Sequence, residues 1–476
     1  MSKQNKNFYI TTTLPYVNAD PHIGFALEII QADVIARYYK SQGFEIFFNT
    51  GVDEHGSKIF NKAKEKNIDP QEYCDVYAKK FEELKQLLNL SYNSFVRTTD
   101  LHHIKVAQAF WKLCEKNGDI YKKNYKAKYC VGCELEKTDS ELVDGKCPLH
   151  PNLELEIIDE ENYFFRYSKY QKALLDFYKN NLDFVISNSR FNEIKEFTKR
   201  GLEDFSISRL KEKMPWGIEV PGDENHVMYV WFDALINYIS CLGWPENKEN
   251  FNNFWPGFQV AGKDNLRQQS SMWQAMLMSA GLPNSKQIFI HGFITVNGQK
   301  MSKSLGNVIS PVELVKKYGV DAVRYYLLRE IVSTEDGDFT YEKFEQRYNS
   351  DLAGGIGNLL ARTIGIVKDI EITETVTTKN TKQKISDTKE KYKTSLDKFK
   401  FNEALSAVWE LISYCDKYIN DEKLWQTKKP EVINDLFIAI GEIGALLSPF
   451  LPETSDKIKK AVETKIVGSL FPRIVK

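Results

Sequence analysis

Two short knuckles carry the most recognisable chemistry. Cys130-Val-Gly-Cys133 is followed by Cys147-Pro-Leu-His150, which spaces three thiols and an imidazole as C-x2-C-x13-C-x2-H. Thiolate and imidazole suit tetrahedral zinc, and paired knuckles are an efficient way to supply four such ligands. All four ligands are protein groups, so the expected metal is structural, with no position left for water. Three of the seven cysteines lie in this cluster, which speaks for metal in a reducing compartment rather than for disulfides.

A second set of residues suits phosphate. Pro21-His22-Ile23-Gly24 opens a stretch with helical apolar spacing. Helix N-termini offer free N–H groups and partial positive charge, and an imidazole there can bond a phosphate oxygen. Gly24 has no side chain, so a base or ribose can lie against the backbone. Far downstream stand Lys300-Met301-Ser302-Lys303-Ser304, after the turn dipeptide Asn297-Gly298. Two lysines among small hydroxyl residues make a loop that can close on a triphosphate and neutralise charge as pyrophosphate leaves. Taken singly, each has a plainer reading: a surface histidine and a solvated basic loop.

The elements that must position these groups follow from pattern. Residues 8–13 (FYITTT) and 44–49 (FEIFFN) read as strands, with a helix between them capped by Asp20 and opened by Pro21. Strand, helix, strand argues for a βαβ unit and a parallel sheet. From 121 to about 215 the periodicity breaks up, as expected of an inserted module. The α/β signal returns at 228–232 (MYVWF) and 287–290 (QIFI). Ser310-Pro311-Val312-Glu313 has capping-box form, so a helix should start there. Beyond about 344 the pattern is helical, and the Thr/Lys-rich stretch 373–385 reads as an exposed connection. The expected fold is α/β: a Rossmann-like parallel sheet split by a zinc-knuckle connective module, then an all-α C-terminal bundle. The expected divisions are 1–118 and 216–306 for the sheet domain, 119–215 for the insertion, 307–345 for a linking segment, and 346–476 for the bundle.

Composition excludes several classes. The chain has 476 residues, 42% apolar and 27% charged, with net charge −1, so it is neither disordered nor a basic coat protein. It has no apolar run of about 18 residues and no secretory leader pattern, so a cytoplasmic protein with no membrane contact is expected.

The order PHIG, then KMSKS, resembles the paired signatures of class I aminoacyl-tRNA synthetases. The closer resemblance is to the methionyl-tRNA synthetase family and covers nearly the whole chain. It rests on TLPYVNADPHIG, TGVDEHG, CVGC…CPLH, NYFFR, ISR…PWGI, YVWFDALINY, GKD, GFITVNGQKMSKSLGN, DAVRYYLLRE and GIGNLLAR. That resemblance implies ATP-dependent activation of L-methionine to its adenylate and transfer to the terminal ribose of tRNA(Met), initiator included. It implies ATP with Mg2+ as cosubstrate and one structural Zn2+ on Cys130, Cys133, Cys147 and His150. ATP would meet Pro21, His22, Gly24, Lys300, Met301, Ser302, Lys303 and Ser304, with His22, Lys300 and Lys303 catalytic. Asp53 would hold the substrate ammonium, and Leu14, Tyr16, Trp231, Ala234, Tyr238 and Gln269 the thioether side chain. Asn358, Arg362 and Trp425 would contact the anticodon.

Two further points bear on the resemblance. An apolar pocket separates substrates differing by a methylene by only about 1–3 kcal/mol, so the large Leu, Ile and Val enzymes carry editing domains. The stretch between Gly24 and Lys300 is too short for one. The chain also departs from the family pattern: Phe25 stands where a second histidine is usual, Gln269 where histidine is common, and Asn265 for an apolar residue. A monomer is expected. Of the other histidines, His55 is near Asp53 in sequence, while His102, His103, His226 and His291 read as structural.

Overall fold

The computed structural model describes residues 6–132, 135–137, 139–302, 305–368, 370 and 377–475. A six-stranded sheet runs in the order Ser94–Arg97, Glu45–Val52, Asn7–Thr12, Phe258–Gly262, Gln287–His291, Val185–Ile186. Every pairing in it is parallel. Chain order reverses between Asn7–Thr12 and Phe258–Gly262, the switch point where open α/β sheets bind ligands beyond their C-terminal strand ends. The helix Ile23–Ser41 follows the first strand and is buried along most of its length. Its polar Glu28, Gln31 and Asp33 are buried with its apolar residues, because sheet and C-terminal helices cover it on several sides.

The structure revises several readings. The run 228–232 is not a strand of the main sheet. Asp223–Met228 pairs antiparallel in a small separate sheet, and Val230–Ala234 is a helical turn. A short unbroken apolar run does not distinguish strand from buried helix. The strand that fills this place is Phe258–Gly262, which periodicity did not single out.

The insertion is narrower than 119–215. Its separate part is an antiparallel sheet built on the hairpin Ile120–Cys130 with Glu156–Phe165. Within the same stretch, Val185–Ile186 joins the edge of the main sheet. The helices Gln171–Asn180 and Asn188–Lys199 flank that strand and contribute Leu174, Tyr178, Phe191 and Ile194 to the core on that side.

The C-terminal region is helical as expected, from Asn358–Val367 to Pro452–Thr464. Residues 379–385, however, open the helix Lys379–Leu396 rather than forming an exposed connection. Thr378 caps it, and Asp435 accepts from the Thr378 N–H (2.8 Å) and the hydroxyls of Thr378 (2.5 Å) and Thr381 (2.8 Å). Tertiary hydrogen bonds thus hold a segment whose composition favours a loop. The helix Pro311–Tyr318 begins where expected, with Ser310 at the N-cap but without a side-chain cap bond. Among the described residues no helix is long and apolar enough to cross a membrane.

One buried cluster ties these parts together. Arg324 donates to Asp33 Oδ2 at 2.7 Å, to the Phe450 and Pro449 carbonyls at 2.7 and 2.9 Å, and to the Leu88 carbonyl at 3.1 Å. Both charged side chains are fully buried. Asp33 also accepts from Arg37 and from the Ser91 backbone and hydroxyl. Burial disfavours its charge, yet Arg324 and Arg37 hold its carboxyl below the usual range. That contribution to stability is therefore complete above about pH 4 and is lost as pH falls through the depressed native value. Arg324→Met should leave Asp33 with a poorly compensated buried charge and cost about 3–5 kcal/mol. Chemical denaturation measures this, and an unchanged midpoint would remove the cluster from the list of stabilising ties.

Candidate active site

The first helix starts later than Asp20-Pro21 suggests. Its N-cap is His22, whose Nδ1 accepts from the Gly24 N–H at 3.1 Å. The imidazole supplies the acceptor that the orphan N–H needs, while Asp20 instead pairs with Lys80 at the surface, at 2.6 Å. Burial lowers the His22 pKa, so the ring is neutral at neutral pH. With Nδ1 accepting, its proton sits on Nε2, which is left as a donor.

The two phosphate signatures meet. The Ile23 N–H donates to the Ile309 carbonyl at 3.1 Å, which fastens the helix start to the chain just past the lysine-containing loop. A Cβ added at Gly24 would lie 3.5 Å from Met301 Cε and only 2.8 Å from His22 Cε1. A side chain here would force the His22 ring to shift, while the loop lies in ordinary contact. The loop leaves a hairpin, Ile294–Val296 with Gln299–Lys300, turned by Asn297 and Gly298 at φ 51° and 73°. Asn307 braces it by accepting from the Ser302 N–H (2.8 Å) and donating to the Lys300 carbonyl (3.2 Å). Lys303 and Ser304 lie outside the described residues.

Below the switch point, Glu28 accepts from the Thr13 N–H (2.7 Å) and hydroxyl (2.6 Å) and pairs with His291 Nε2 (2.9 Å). Burial opposes charge on His291, but Glu28 outweighs it and raises the pKa. Burial also pushes Asp264 upward, so the mouth of the sheet holds several strained titratable groups, as reactive sites do.

The expected methionine residues gather beside this mouth. Tyr16 and Asp53 extend the sheet by an isolated parallel bridge, with the Asp53 N–H donating to the Pro15 carbonyl at 2.9 Å. Leu14 precedes that bridge and is half-buried. Trp231 and Ala234 lie on the helix Val230–Ala234, and Tyr16 and Trp231 pack against one small cluster of Tyr129, Ile158, Tyr229 and Val230. Two of those four come from the inserted sheet, so the insertion packs against two of the expected pocket aromatics. Gln269 donates to the Tyr238 hydroxyl at 2.6 Å from a π-helical turn, Gln268–Met272. The Gln269 carbonyl oxygen accepts from Gln274 (2.8 Å), while the side-chain oxygen is buried without a hydrogen bond.

Three of the four expected knuckle residues are described and come together. Donor atoms of Cys130, Cys147 and His150 all lie within 4.8 Å of one another, with Cys130 Sγ 3.8 Å from His150 Nδ1. A tetrahedral zinc with bonds of about 2.0–2.3 Å needs ligand separations of roughly 3.3–3.8 Å, and the Cys130–His150 pair is already at that spacing. Burial, then the charges of Lys300, Lys58 and Lys137, lower the His150 pKa and favour the neutral, ligating imidazole. Gly132 is required, since a Cβ there would lie 2.5 Å from the His150 ring. Cys133 lies outside the described residues.

Sequence reasoning assigned no role to Arg209. It is buried between the rings of Tyr129 and Tyr229 and lines a cavity of about 140 Å³ with Gly56, Ser57 and Lys213. The segment ISR was in view, but only folding places its arginine at the pocket wall.

At the far end, Asn358 is exposed on the first turn of its helix. Arg362, one turn on, is held by Asp416 (3.3 Å) and Asn420 (2.8 Å) near the end of the helix Phe401–Asp421. Trp425 follows that helix closely and is 49% exposed, an unusual position for a large aromatic.

Residues 8–154 and 152–364 match the family model described as tRNA synthetases class I (M), and residues 379–473 match the anticodon-binding domain of tRNA ligases. The methionine–tRNA ligase of Thermotoga maritima is 42% identical over 96% of this chain and 75% of its own length. That of a Nostoc species is 42% identical over 96% and 90%. The structure of Mycobacterium tuberculosis methionyl-tRNA synthetase in complex with methionyl-adenylate superposes with a TM-score of 0.90 at 33% identity, covering 99% of both chains. This chain belongs to the methionine–tRNA ligase family.

Membership sharpens the reading of the departures. Phe25, in place of a second histidine, packs edge-to-face on Phe81 with ring centroids 5.2 Å apart, so this helix face is apolar. Position 25 therefore adds no second imidazole beside His22 and the helix N–H groups. Gly24→Ala should displace the His22 ring and raise the ATP KM about tenfold, or ~1.4 kcal/mol, with the methionine KM little changed. Pyrophosphate exchange at varied ATP measures it, and an unaltered ATP KM would separate Gly24 from nucleotide binding.

Proposed function

We propose that the chain condenses L-methionine with Mg-ATP to methionyl-adenylate and pyrophosphate, then transfers the methionyl group to the terminal ribose of tRNA(Met), initiator included. The observation that carries this reading is the approach of Gly24 to Met301, with Ile23 bonded to Ile309, which puts both phosphate signatures at one mouth.

In the first step the methionine carboxylate attacks the α-phosphate. His22 offers its Nε2–H, and Lys300 and Lys303 supply cationic charge as pyrophosphate departs. Pro21, Gly24, Met301, Ser302 and Ser304 shape the nucleotide site. Asp53 accepts from the substrate ammonium. Leu14, Tyr16, Trp231, Ala234 and Tyr238 enclose a polarizable thioether, which favours aromatic edges. Gln269, bonded to the Tyr238 hydroxyl, stands there in place of the more usual histidine. In the second step the ribose hydroxyl attacks the adenylate carbonyl and AMP leaves. No covalent enzyme intermediate is needed, since catalysis is positioning and electrostatics.

Cys130, Cys133, Cys147 and His150 would hold a structural zinc, which would cross-link the knuckles and stiffen the insertion over the pocket. Asn358, Arg362 and Trp425 read splayed anticodon bases by stacking and edge hydrogen bonds. The protein acts in the cytoplasm as a monomer.

A pyrophosphate exchange assay run over the amino acids tests the substrate, and methionine alone should support exchange. Lys303→Ala should slow exchange about 100-fold or more, a loss of the size seen when a charge-stabilising donor is removed, while methionine binding holds. Exchange near the wild-type rate in that variant would reject the lysine's role. Elemental analysis should find one zinc per chain, and Cys147→Ser should lose it. A folded, metal-free wild-type protein would refute the zinc assignment.

A further inference from the structure

Asp233 sits in the helical turn Val230–Ala234 with its side chain fully buried, and no step above uses it. Its Oδ2 lies 2.6 Å from His55 Nδ1 and its Oδ1 lies 2.8 Å from His103 Nε2. The chain continues at both ends. His103 Nδ1 is 2.9 Å from the Ser240 hydroxyl, and His102 Nε2 is 2.9 Å from the Ser240 carbonyl. At the other end, the His55 N–H lies 3.4 Å from Asp53 Oδ1.

We propose that Asp233 is a positioning residue for methionine: it fixes the helix bearing Trp231 and Ala234 to the segment bearing Asp53. The inference rests on the methionine-binding roles given above to those three residues. The two halves of the pocket come from chain segments about 180 residues apart, and the Asp233–His55 bond spans a separation of 178. Packing alone would be served by an apolar residue, because burying a carboxylate is costly unless it is fully bonded. Here it is bonded at both oxygens. Burial works against the charge, yet the two imidazoles hold the carboxyl below the usual range, so it is ionised at neutral pH. An ionised carboxylate accepts only. His55 therefore donates from Nδ1 and His103 from Nε2, and each ring is held in one orientation. Asparagine offers one oxygen and one amide, so it cannot accept from both.

The consequence is specific to one substrate. Asp233 spends its two oxygens on His55 and His103, whereas the triphosphate side is where His22, Gly24 and Met301 meet. Loosening it should spread Asp53 from Trp231 and weaken methionine while ATP is held as before. Methionine Kd by calorimetry and ATP KM by pyrophosphate exchange read the two separately. Asp233→Asn should raise the methionine Kd about tenfold or more and leave the ATP KM within about twofold. His103→Leu removes one donor at a distance from the pocket and should raise the methionine Kd about threefold, which keeps a test available if Asp233→Asn does not fold. His103→Gln places an amide N–H near the position of Nε2 and should restore most of that loss. A methionine Kd unchanged in a folded Asp233→Asn, parallel loss for both substrates, or glutamine no better than leucine at 103 overturns the proposal. Absence of methionine-dependent exchange in the wild-type protein would instead strike at the ligase reading itself.

Discussion

The parallel pairing of Asn7–Thr12 with Phe258–Gly262 is the constraint on which the site depends. Ile10 stands opposite Phe258 and Thr12 opposite Val260. Two segments separated by more than half the chain are thereby set side by side with their C-terminal ends at one edge. Each strand then delivers its own group there: the first turns into His22 and Gly24, and the second leads to Asp264 and on towards His291. Neither half makes a nucleotide site alone. The parallel arrangement has no local hairpin to enforce it, so it must be held by the helices on its faces.

Those helices are held by polar contacts as much as by apolar ones. Arg324 and Asp33 lie where the first helix, the linking segment and the C-terminal bundle converge, and the arginine satisfies the Pro449 and Phe450 carbonyls of the bundle and the Leu88 carbonyl that closes the helix Pro70–Leu87. A buried pair of this kind adds little over an apolar contact of the same shape, but it tolerates no alternative packing, because an unpaired charge there is costly. The bundle that carries Arg362 and Trp425 is thus docked in a defined orientation on the helix that begins with His22.

The insertion plays a comparable part at the pocket. Tyr129 and Ile158 of its long hairpin pack with Tyr229 and Val230, directly before Trp231. On the proposed reading, a knuckle that keeps this hairpin rigid would also steady the outer wall of the amino-acid pocket. Arg209, held between Tyr129 and Tyr229, belongs to both.

What the sequence determined by itself was local chemistry. The helix after PHIG, the strand–helix–strand opening and the helical end rest on short-range rules, and the structure has them with small shifts in bounds; the ligand spacing of the knuckles is short-range too, and Cys130, Cys147 and His150 come together. The helix start moved from Asp20 to His22 because a ring nitrogen met an N–H, a competition between neighbours that composition does not rank. Only tertiary structure decided the rest. It made Phe258–Gly262 a central strand and turned 228–232 into a strand end and a helical turn. It drew Val185–Ile186 out of the insertion and assembled His55, Asp233 and His103 into one chain of bonds. These outcomes depend on partners far apart in sequence, and a residue's spacing along the chain carries no information about which distant group will satisfy its charge or cover its surface.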